Sequence, residues 1–300
     1  MQTHTPPDKH LLADACTVII PTLAVTERSE SLRRAIESLR TEKNPPAIIV
    51  IVNGARFDPR VVCELSSLAY VKLLQIPNPS LPAALLEGRR LVSTPFFSFL
   101  DDDDEYLPGA ISTRLQILDS FPEADFVVSN GLRNSHGVDK LALTFDQHTF
   151  TDPLGALFSS NWLASCGGLF RTSSVSTDLF ENIPSYLEWT WLAFHLISTN
   201  KKVAFLDEPT FRIHETPDSE SKTEKYLLSH ATILERLYEV AERRDIRRIL
   251  RKRISQSWHN ISNYHLEKSQ IRQAWAAHLH SLQYPSGWKF VSYTRRLLGI

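Results

Sequence analysis

The chain has 300 residues, enough for about two domains, and its 42% hydrophobic and 22% charged residues are ordinary for a globular protein. The formal net charge of -1 hides an asymmetry, because residues 1–221 carry 18 basic and 28 acidic side chains whereas residues 222–300 carry 15 and 6. Only three cysteines are present (Cys16, Cys63 and Cys166), which excludes a disulfide framework and a CxxC metal site and indicates a reducing compartment.

The first ten residues lack the basic-then-apolar order of a signal peptide. The longest apolar runs, at residues 15–20, 47–52 and 96–99, are far shorter than the roughly 18–20 residues that span a bilayer. We therefore expect a soluble, cytoplasmic protein.

Short apolar runs alternate with helical patterns from the start of the chain. The predicted strands are residues 16–20 (closed by Pro21), 47–52, 71–76, 96–100 and 126–129. The predicted helices are residues 31–39, 61–68, 81–91 and 107–120. Continuous apolar strands separated by helices predict an α/β fold, with a mostly parallel sheet covered on both faces. Ligands bind such sheets beyond the carboxyl ends of the strands.

The character of the sequence changes near residue 220. Residues 225–253 are predicted to form one long helical stretch, followed by helices 255–266 and 271–284 that are joined near residues 268–270. The last two resemble one unit of a tetratricopeptide array, which is too little for an array. The sequence thus predicts a first domain of residues 1–221 and a basic, all-helical C-terminal extension of residues 222–300.

Five consecutive acids, residues 101–105, follow the fourth predicted strand. One interpretation is a solvated acidic turn that begins the next helix near Pro108, because acids favour helix N-termini. The other is a site for Mg²⁺ or Mn²⁺, since clustered carboxylates suit a hard cation that keeps positions open for phosphate oxygens. From the residues alone, both interpretations stay open.

Several segments share a pattern with one enzyme family. They are Thr17-Val-Ile-Ile-Pro-Thr22 with the helix at 31–39, Ala83-Ala84 to Gly88, Phe97-Ser-Phe-Leu-Asp-Asp-Asp-Asp-Glu-Tyr-Leu-Pro-Gly109, Gly167-Gly168-Leu-Phe-Arg171, Glu188-Trp189, and residues 202–209 and 211–214. Through them, residues 15–225 resemble the family 2 glycosyltransferases, and the block with the DxD motif is the most specific. The resemblance implies the GT-A fold: a Rossmann-like mixed, mostly parallel sheet flanked by helices, here with a C-terminal helical appendage.

The resemblance implies inverting transfer of a sugar from a nucleotide-diphosphate donor to a hydroxyl acceptor. Pro21 and Thr22 are then expected to line the nucleotide pocket. Asp103 is expected to be the principal metal ligand, and Asp101 to face the ribose or assist the metal. Asp102 is expected to support donor binding.

The later segments imply the remaining site residues. Glu188 is the expected general base. Arg212 and His214 lie in the loop expected to close over the diphosphate, Arg212 to pair with phosphate and His214 to ligate the metal. Trp162 is interpreted as packing, whereas Trp189 is left between packing and sugar stacking.

The second predicted strand departs from the family pattern. It ends Val52-Asn53-Gly54-Ala55 where relatives usually have an acid pair, so Asn53 is the candidate to contact the base. Asparagine still hydrogen-bonds a pyrimidine edge, and a UDP-sugar is the favoured donor. The first loop, residues 23–30, is longer than usual, and Glu188 stands where the matching acid is usually aspartate.

Two other classes of function were weighed. A metal-dependent nucleotidyltransferase usually has a glycine-rich basic loop near the first strand, and this loop has no glycine. P-loop and dinucleotide-binding motifs do not occur. A catalytically inactive GT-A scaffold or adaptor is the non-enzyme alternative.

The segment 243–253 is strongly basic, with Ile246, Ile249 and Leu250 on one face. It is interpreted either as a solvated face packed on the catalytic domain or as an attachment to an anionic bilayer. Many family members extend lipid-linked glycans, so we expect a glycan or lipid-linked acceptor and peripheral association with the inner face of the membrane. Nucleic-acid binding is not expected, because no recognition motif accompanies the charge.

Overall fold

The computed structural model describes residues 15–215 and 224–299, which divide into two compact units at residues 215 and 216. The domain boundary expected between residues 221 and 222 lies outside the described residues. No helix in the described ranges is long and apolar enough to cross a membrane.

The first unit is built on a mixed sheet of nine strands. In chain order they are β1 (Cys16–Thr22), β2 (Ala47–Asn53), β3 (Val71–Ile76), β4 (Phe96–Phe99), β5 (Glu105–Tyr106), β6 (Phe126–Ser135), β7 (Val138–Leu141), β8 (Gly168–Arg171) and β9 (Val203–His214). Their order in the sheet is β3-β2-β1-β4-β8-β6-β9-β5, with β7 paired to β6. The block β3-β2-β1-β4 is parallel, whereas β8 is antiparallel to both β4 and β6. The expected mixed α/β sheet is confirmed.

Seven helices of the first unit are described. They are α1 (Ser29–Arg40), α2 (Pro59–Ser67), α3 (Leu81–Arg90), α4 (Ala110–Ser120), α5 (Gln147–Thr151), α6 (Pro153–Leu157) and α7 (Glu188–Ser198). The four predicted helices are confirmed to within three residues at each end. The start of α2 is earlier because Asp58 caps it by accepting from the backbone N–H of Arg60. The start of α4 is later because Gly109 has a left-handed φ of 80°.

The parallel strands form the core because their residues are apolar without interruption. Every residue of β1 is buried, as are the five central residues of β2. Helix α3 packs closely on β1 at Gly88, where a Cβ atom would lie only 2.4 Å from Cγ2 of Ile19. This packing fixes the two strands whose carboxyl ends carry Thr22 and Asn53.

Three expectations about strands were wrong. Strand β1 is not closed by Pro21 but continues through Thr22, in parallel register with Val52. Strand β6 does not end at residue 129 but runs to Ser135 and turns into β7. Strand β9 extends to His214, so Arg212 and His214 lie in a strand rather than in a loop. The reason is β5, which pairs antiparallel with the end of β9 and places Glu105 opposite Arg212.

The second unit is helical as far as it is described. Its helices are α8 (Glu224–Val240), α9 (Arg244–Glu267), α10 (Ile271–Leu282) and α11 (Tyr293–Leu298). The expectation of one stretch over residues 225–253 with a new helix at 255 was wrong, because the break comes at residues 241–243 and α9 is continuous. At this break, Arg247 Nη1 donates to the carbonyls of Tyr238 (2.9 Å) and Ala241 (3.0 Å), which ends α8.

The basic segment 243–253 is amphipathic, as the sequence indicates. Ile246 and Leu250 are fully buried in the second unit. The apolar face of this segment is therefore part of that unit's own core, and its exposed face is the charged one.

Candidate active site

The acidic run begins where β4 ends, beside the carboxyl end of β1. Thr22, the last residue of β1, donates from Oγ1 to Oδ2 of Asp102 over 2.6 Å. Asp102 and Asp104 are each 4% exposed, whereas Asp101 and Asp103 are partly exposed. The structure thus brings Thr22 and the acidic run together at the predicted edge of the sheet.

Arg28 is a site residue that the sequence analysis missed. Its Nη2 lies 2.5 Å from Oδ1 of Asp102 and 2.7 Å from Oδ2 of Asp103. Arg34 donates to the main-chain oxygen of Asp103 over 2.6 Å. A signal was present, because Arg28 is a basic residue in the long loop after β1, which opens onto the same edge.

Burial dominates the titration of these carboxyl groups. Loss of solvation raises the pKa of Asp101 to about 7, that of Asp102 to about 6 and that of Asp104 to about 8. Repulsion among Asp101, Asp103 and their neighbours adds to the effect, and Arg28 opposes it at Asp102. Cys166 donates from Sγ to Oδ2 of Asp104 over 3.6 Å. The surroundings of the run therefore compensate only part of the charge that it would carry with every carboxyl group ionised.

The donor set suits a cation that shares its ligands with a substrate. Within residues 15–215 and 224–299, no three His, Cys, Asp or Glu side chains are arranged to hold a metal ion. Mg²⁺ is commonly held by one or two carboxylates together with substrate phosphates and water. Asp101 and Asp103 supply such a sparse set, and a divalent cation would offset their repulsion.

The end of β9 is tied to the acidic run. The backbone N–H of His214 donates to Oδ1 of Asp104 (3.1 Å), and its Nε2 lies 3.3 Å from Oε1 of Glu105. Arg212 pairs with Glu105 (2.5 Å) and with Asp139 (2.9 Å), which lowers the pKa of Asp139. The structure brings His214 to the acids as expected, while Arg212 has two carboxylate partners and its contact with phosphate stays a prediction.

Glu188 is the first residue of α7 and follows a strained turn. Tyr186 and Leu187 have left-handed φ values of 69° and 55°, which are unfavourable for residues with side chains and are found at functional sites. Oε1 of Glu188 accepts from the backbone N–H of Tyr186 over 2.8 Å. The turn thus fixes the carboxylate of the expected base at the start of the helix.

Trp189 locates this turn relative to the acids. Its ring packs against that of Phe99, with centroids 5.4 Å apart, two residues before the acidic run. Trp162 is 1% exposed and donates from Nε1 to the carbonyl of Pro153, so the expected packing role of Trp162 is confirmed. Contact with Phe99 gives Trp189 a packing role as well.

Asn53 and Pro21 occupy the same edge of the sheet. Asn53 ends β2, one residue beyond the Val52 that pairs with Thr22. Its Oδ1 accepts from the backbone N–H of Ser80 over 2.7 Å, which leaves the amide nitrogen to donate to a ligand. Pro21 precedes Thr22 in β1. Their expected contacts with the nucleotide remain predictions.

A second arginine missed from sequence lies beneath the site. Arg114 of α4 is fully buried, donates to the Ser129 and Thr210 hydroxyls and, over 2.8 Å, to the carbonyl of Cys166. It thereby joins β6, β9 and the segment before β8. The signal was a single arginine on the otherwise apolar inner face of a predicted helix.

Two cavities of this unit, of about 700 and 730 Å³, do not coincide with the acidic edge. One of about 700 Å³ is lined by the amino-terminal halves of β1, β2 and β3, and no carboxylate lines it. The clustered, perturbed carboxylates, rather than cavity size, mark the candidate active site.

Comparison with known proteins gives a family match for part of the first unit. Residues 17–162 match the model of the family described as glycosyl transferase family 2. The chain thus contains, in these residues, a glycosyl transferase family 2 domain. It is therefore a glycosyltransferase, and the match covers β1, β2, β4 and the acidic run. A search of curated protein sequences found no match.

Solved structures of similar fold include S. aureus TarS. TarS 1-349 in complex with UDP-GlcNAc aligns with a TM-score of 0.62 at 15% identity, over 90% of this chain and 81% of that one. The longer TarS structure aligns with a TM-score of 0.59 over 49% of its length. TarS 1-349 in complex with UDP gives 0.52 at 13% identity, over 82% of this chain and 71% of that one. At this identity the likeness establishes a shared GT-A fold.

The cysteines provide a direct test of the burial beneath the acids. Cys16 and Cys166 are buried, which raises their pKa well above the usual range, whereas Cys63 is exposed. We expect Ellman's reagent to modify one thiol in the native protein and three after unfolding in guanidinium. The Cys63→Ser variant should have no fast-reacting thiol. Rapid modification of Cys166 in the native protein would contradict its burial beneath Asp104.

Proposed function

We propose that the first unit transfers a sugar from a nucleotide-diphosphate donor to a hydroxyl group of a glycan or glycolipid, with inversion at the anomeric carbon. The observation that carries the proposal is the under-compensated acidic run beside Thr22, within a family 2 domain. The family match favours glycosyl transfer over the nucleotidyltransferase alternative. The perturbed carboxylates and the strained turn before Glu188 argue against an inactive scaffold.

Donor binding is proposed to depend on Mg²⁺ or Mn²⁺. Asp103, Asp101 and His214 would hold the ion, and the ion would neutralise the diphosphate. Arg28 competes for Asp103 in the structure, so donor binding is expected to move its guanidinium towards phosphate oxygens. Thr22 then keeps Asp102 oriented after Arg28 leaves.

Glu188 is proposed as the general base. Its carboxylate takes the proton of the acceptor hydroxyl as that oxygen bonds to the anomeric carbon. The bond from this carbon to the diphosphate oxygen breaks on the opposite face, and its electron pair leaves with the nucleoside diphosphate. The Tyr186 N–H donates to Oε1 of Glu188 and so holds this carboxylate in place.

A UDP-sugar is the proposed donor. Asn53 can donate from its amide nitrogen to a pyrimidine carbonyl where relatives usually have an acid. TarS, which shares the fold, is known in complex with UDP-GlcNAc and with UDP. Pro21 is expected to line the same nucleotide pocket.

The second unit is proposed to associate with an anionic membrane surface, where a lipid-linked acceptor would be found. Its support is the exposed basic face of α9. Because Ile246 and Leu250 are buried, attraction of charges rather than insertion of apolar side chains would hold it.

Asp103→Asn tests the metal-dependent donor site. We expect Mn²⁺ and UDP-GlcNAc together to raise the melting temperature of the native protein by more than either alone. The reason is that the positive ion offsets the negative charge of the diphosphate beside the carboxylates. Asp103→Asn should remove this synergy, whereas the exposed Asp119→Asn should retain it. Equal stabilisation by the nucleotide sugar in EDTA would contradict metal dependence, and no stabilisation by any nucleotide sugar would contradict the donor site.

Glu188→Gln tests the base. The amide keeps an oxygen for the Tyr186 N–H but cannot take a proton, so kcat should fall by about 10²–10⁴-fold while the donor KM changes little. Glu181→Gln, on an exposed glutamate in the segment before this turn, is the matched control and should keep normal kcat. A kcat within threefold of the native value would exclude Glu188 as the base.

Membrane association is testable by co-sedimentation with vesicles. We expect binding to phosphatidylglycerol vesicles at low salt, loss of that binding at high salt because ions screen the charges, and none to phosphatidylcholine vesicles. Salt-independent binding would contradict an electrostatic attachment. Absence of binding at low salt would remove the membrane proposal without bearing on the transferase site.

A further inference from the structure

The second unit contains a cavity whose lining includes four basic side chains. It measures about 390 Å³, within the roughly 300–1,000 Å³ of small-ligand sites. The lining residues are Arg248, Arg251, Lys252, Pro285, Ser286, Trp288 and Lys289. We call these residues the basic pocket.

Two separate elements build the basic pocket. Arg248, Arg251 and Lys252 are spaced three and four residues apart, so they share one face of α9. Pro285 to Lys289 come from the segment that follows α10. That segment turns tightly at Gly287, where a Cβ atom would lie 2.5 Å from the carbonyl oxygen of Ser281. The opposite wall is therefore fixed by a close backbone approach.

The cations of the basic pocket have no acidic partner among the described residues. Ion pairs in this unit involve other side chains, such as Arg243 with Asp245 and His280 with Glu235. Four positive charges around one cavity repel one another, and an anion within it would offset that repulsion. Guanidinium groups bind phosphate through paired N–H donors. A ligand that carries a phosphate group is therefore favoured over a neutral ligand.

Two further side chains of the basic pocket, Ser286 and Trp288, lie beside its four cations. The Oγ of Ser286 is buried without a hydrogen-bond partner, although Ser286 stands at the cap position of the short helix Gly287–Phe290. A rotation of this side chain towards the cavity would give its hydroxyl a phosphate oxygen as partner. Trp288 is 70% exposed at the rim, with Lys289 Nζ 6.0 Å from its ring centroid. An exposed indole offers a flat surface for the C–H groups of a sugar ring.

We propose that the basic pocket is a second ligand site, separate from the acidic edge, that binds a sugar phosphate. The arginines and Lys252 hold the phosphate, Ser286 donates to it, and Trp288 stacks on the sugar. The site needs no metal ion and no transfer reaction, so it does not rest on the proposed chemistry of the first unit.

The indole N–H of Trp288 gives a local measurement in the full-length chain. The protein has six tryptophans, so selective ¹⁵N labelling yields few signals, and Trp288→Phe assigns the relevant one. We expect glucose 1-phosphate to shift this signal saturably, inorganic phosphate to shift it with weaker affinity, and glucose to leave it unchanged. Equal shifts with glucose and glucose 1-phosphate, or no saturable shift, would overturn the proposal.

Two triple variants separate a built pocket from general positive charge. Arg248→Gln/Arg251→Gln/Lys252→Gln should weaken glucose 1-phosphate binding at least tenfold. Arg244→Gln/Arg272→Gln/Arg295→Gln removes the same charge from exposed residues outside the pocket and should retain affinity within twofold. Equal weakening by both triples would overturn the proposal, because it would show a response to net charge alone.

Ser286→Ala keeps every charge and removes one hydroxyl. We expect it to weaken glucose 1-phosphate binding about tenfold, since a hydrogen bond to a charged group is lost. Vesicle binding provides the last distinction and should fall more in the pocket triple, because all three of its residues lie on the basic face of α9. Vesicle binding that depends only on the pocket triple, with no shift by glucose 1-phosphate, would overturn the sugar-phosphate ligand in favour of a lipid headgroup.

Discussion

Burial of carboxylates at the end of β4 is the constraint on which the candidate active site depends. An apolar strand fixes where the run begins, so Asp102 and Asp104 cannot turn outward into water without disrupting β4 and β5. Each buried charge loses solvation, which is why the pKa values of these groups rise. Only bonds from other parts of the fold can make the ionised form tolerable, and those bonds determine which elements must meet here.

The compensating groups come from distant positions in the chain. Thr22 is the last residue of β1, Arg28 lies in the loop after β1, and His214 is the last residue of β9. Arg114 sits below and links β6 and β9 to the carbonyl of Cys166. Arg28 forms ion pairs with both Asp102 and Asp103. A positive charge therefore already lies at Asp103, the carboxylate expected to bind the metal. A metal ion at Asp103 would have to replace this ion pair, and a donor that arrives together with its ion would offset the loss by giving Arg28 phosphate oxygens as new partners.

The parts predictable from sequence are those determined by local pattern. Residues 47–52 can be predicted as a strand without knowledge of the strands they pair with, because they are apolar throughout. The acids that follow residue 100 can be placed at the sheet edge because residues 96–100 are likewise a short apolar run. Arg212 and His214 were misplaced because β5 is only two residues long, and its pairing with β9 depends on a contact across 107 positions. Arg28 and Arg114 escaped notice because a lone arginine has no spacing to identify it. The break before α9 was missed since Arg247 ends α8 through backbone carbonyls, which leave no trace in the sequence.

Phosphate recognition by the two units would follow opposite physical strategies. At the acidic edge the protein supplies negative charge, so a phosphate can enter only with a cation that reverses the local potential. In the basic pocket the protein supplies the positive charge itself, and the cost is repulsion among Arg248, Arg251 and Lys252 when the pocket is empty. That repulsion is tolerable because these side chains are exposed and solvated, whereas Asp102 and Asp104 are buried. Binding in the basic pocket should therefore weaken with monovalent salt, while binding at the acidic edge should respond chiefly to the divalent ion.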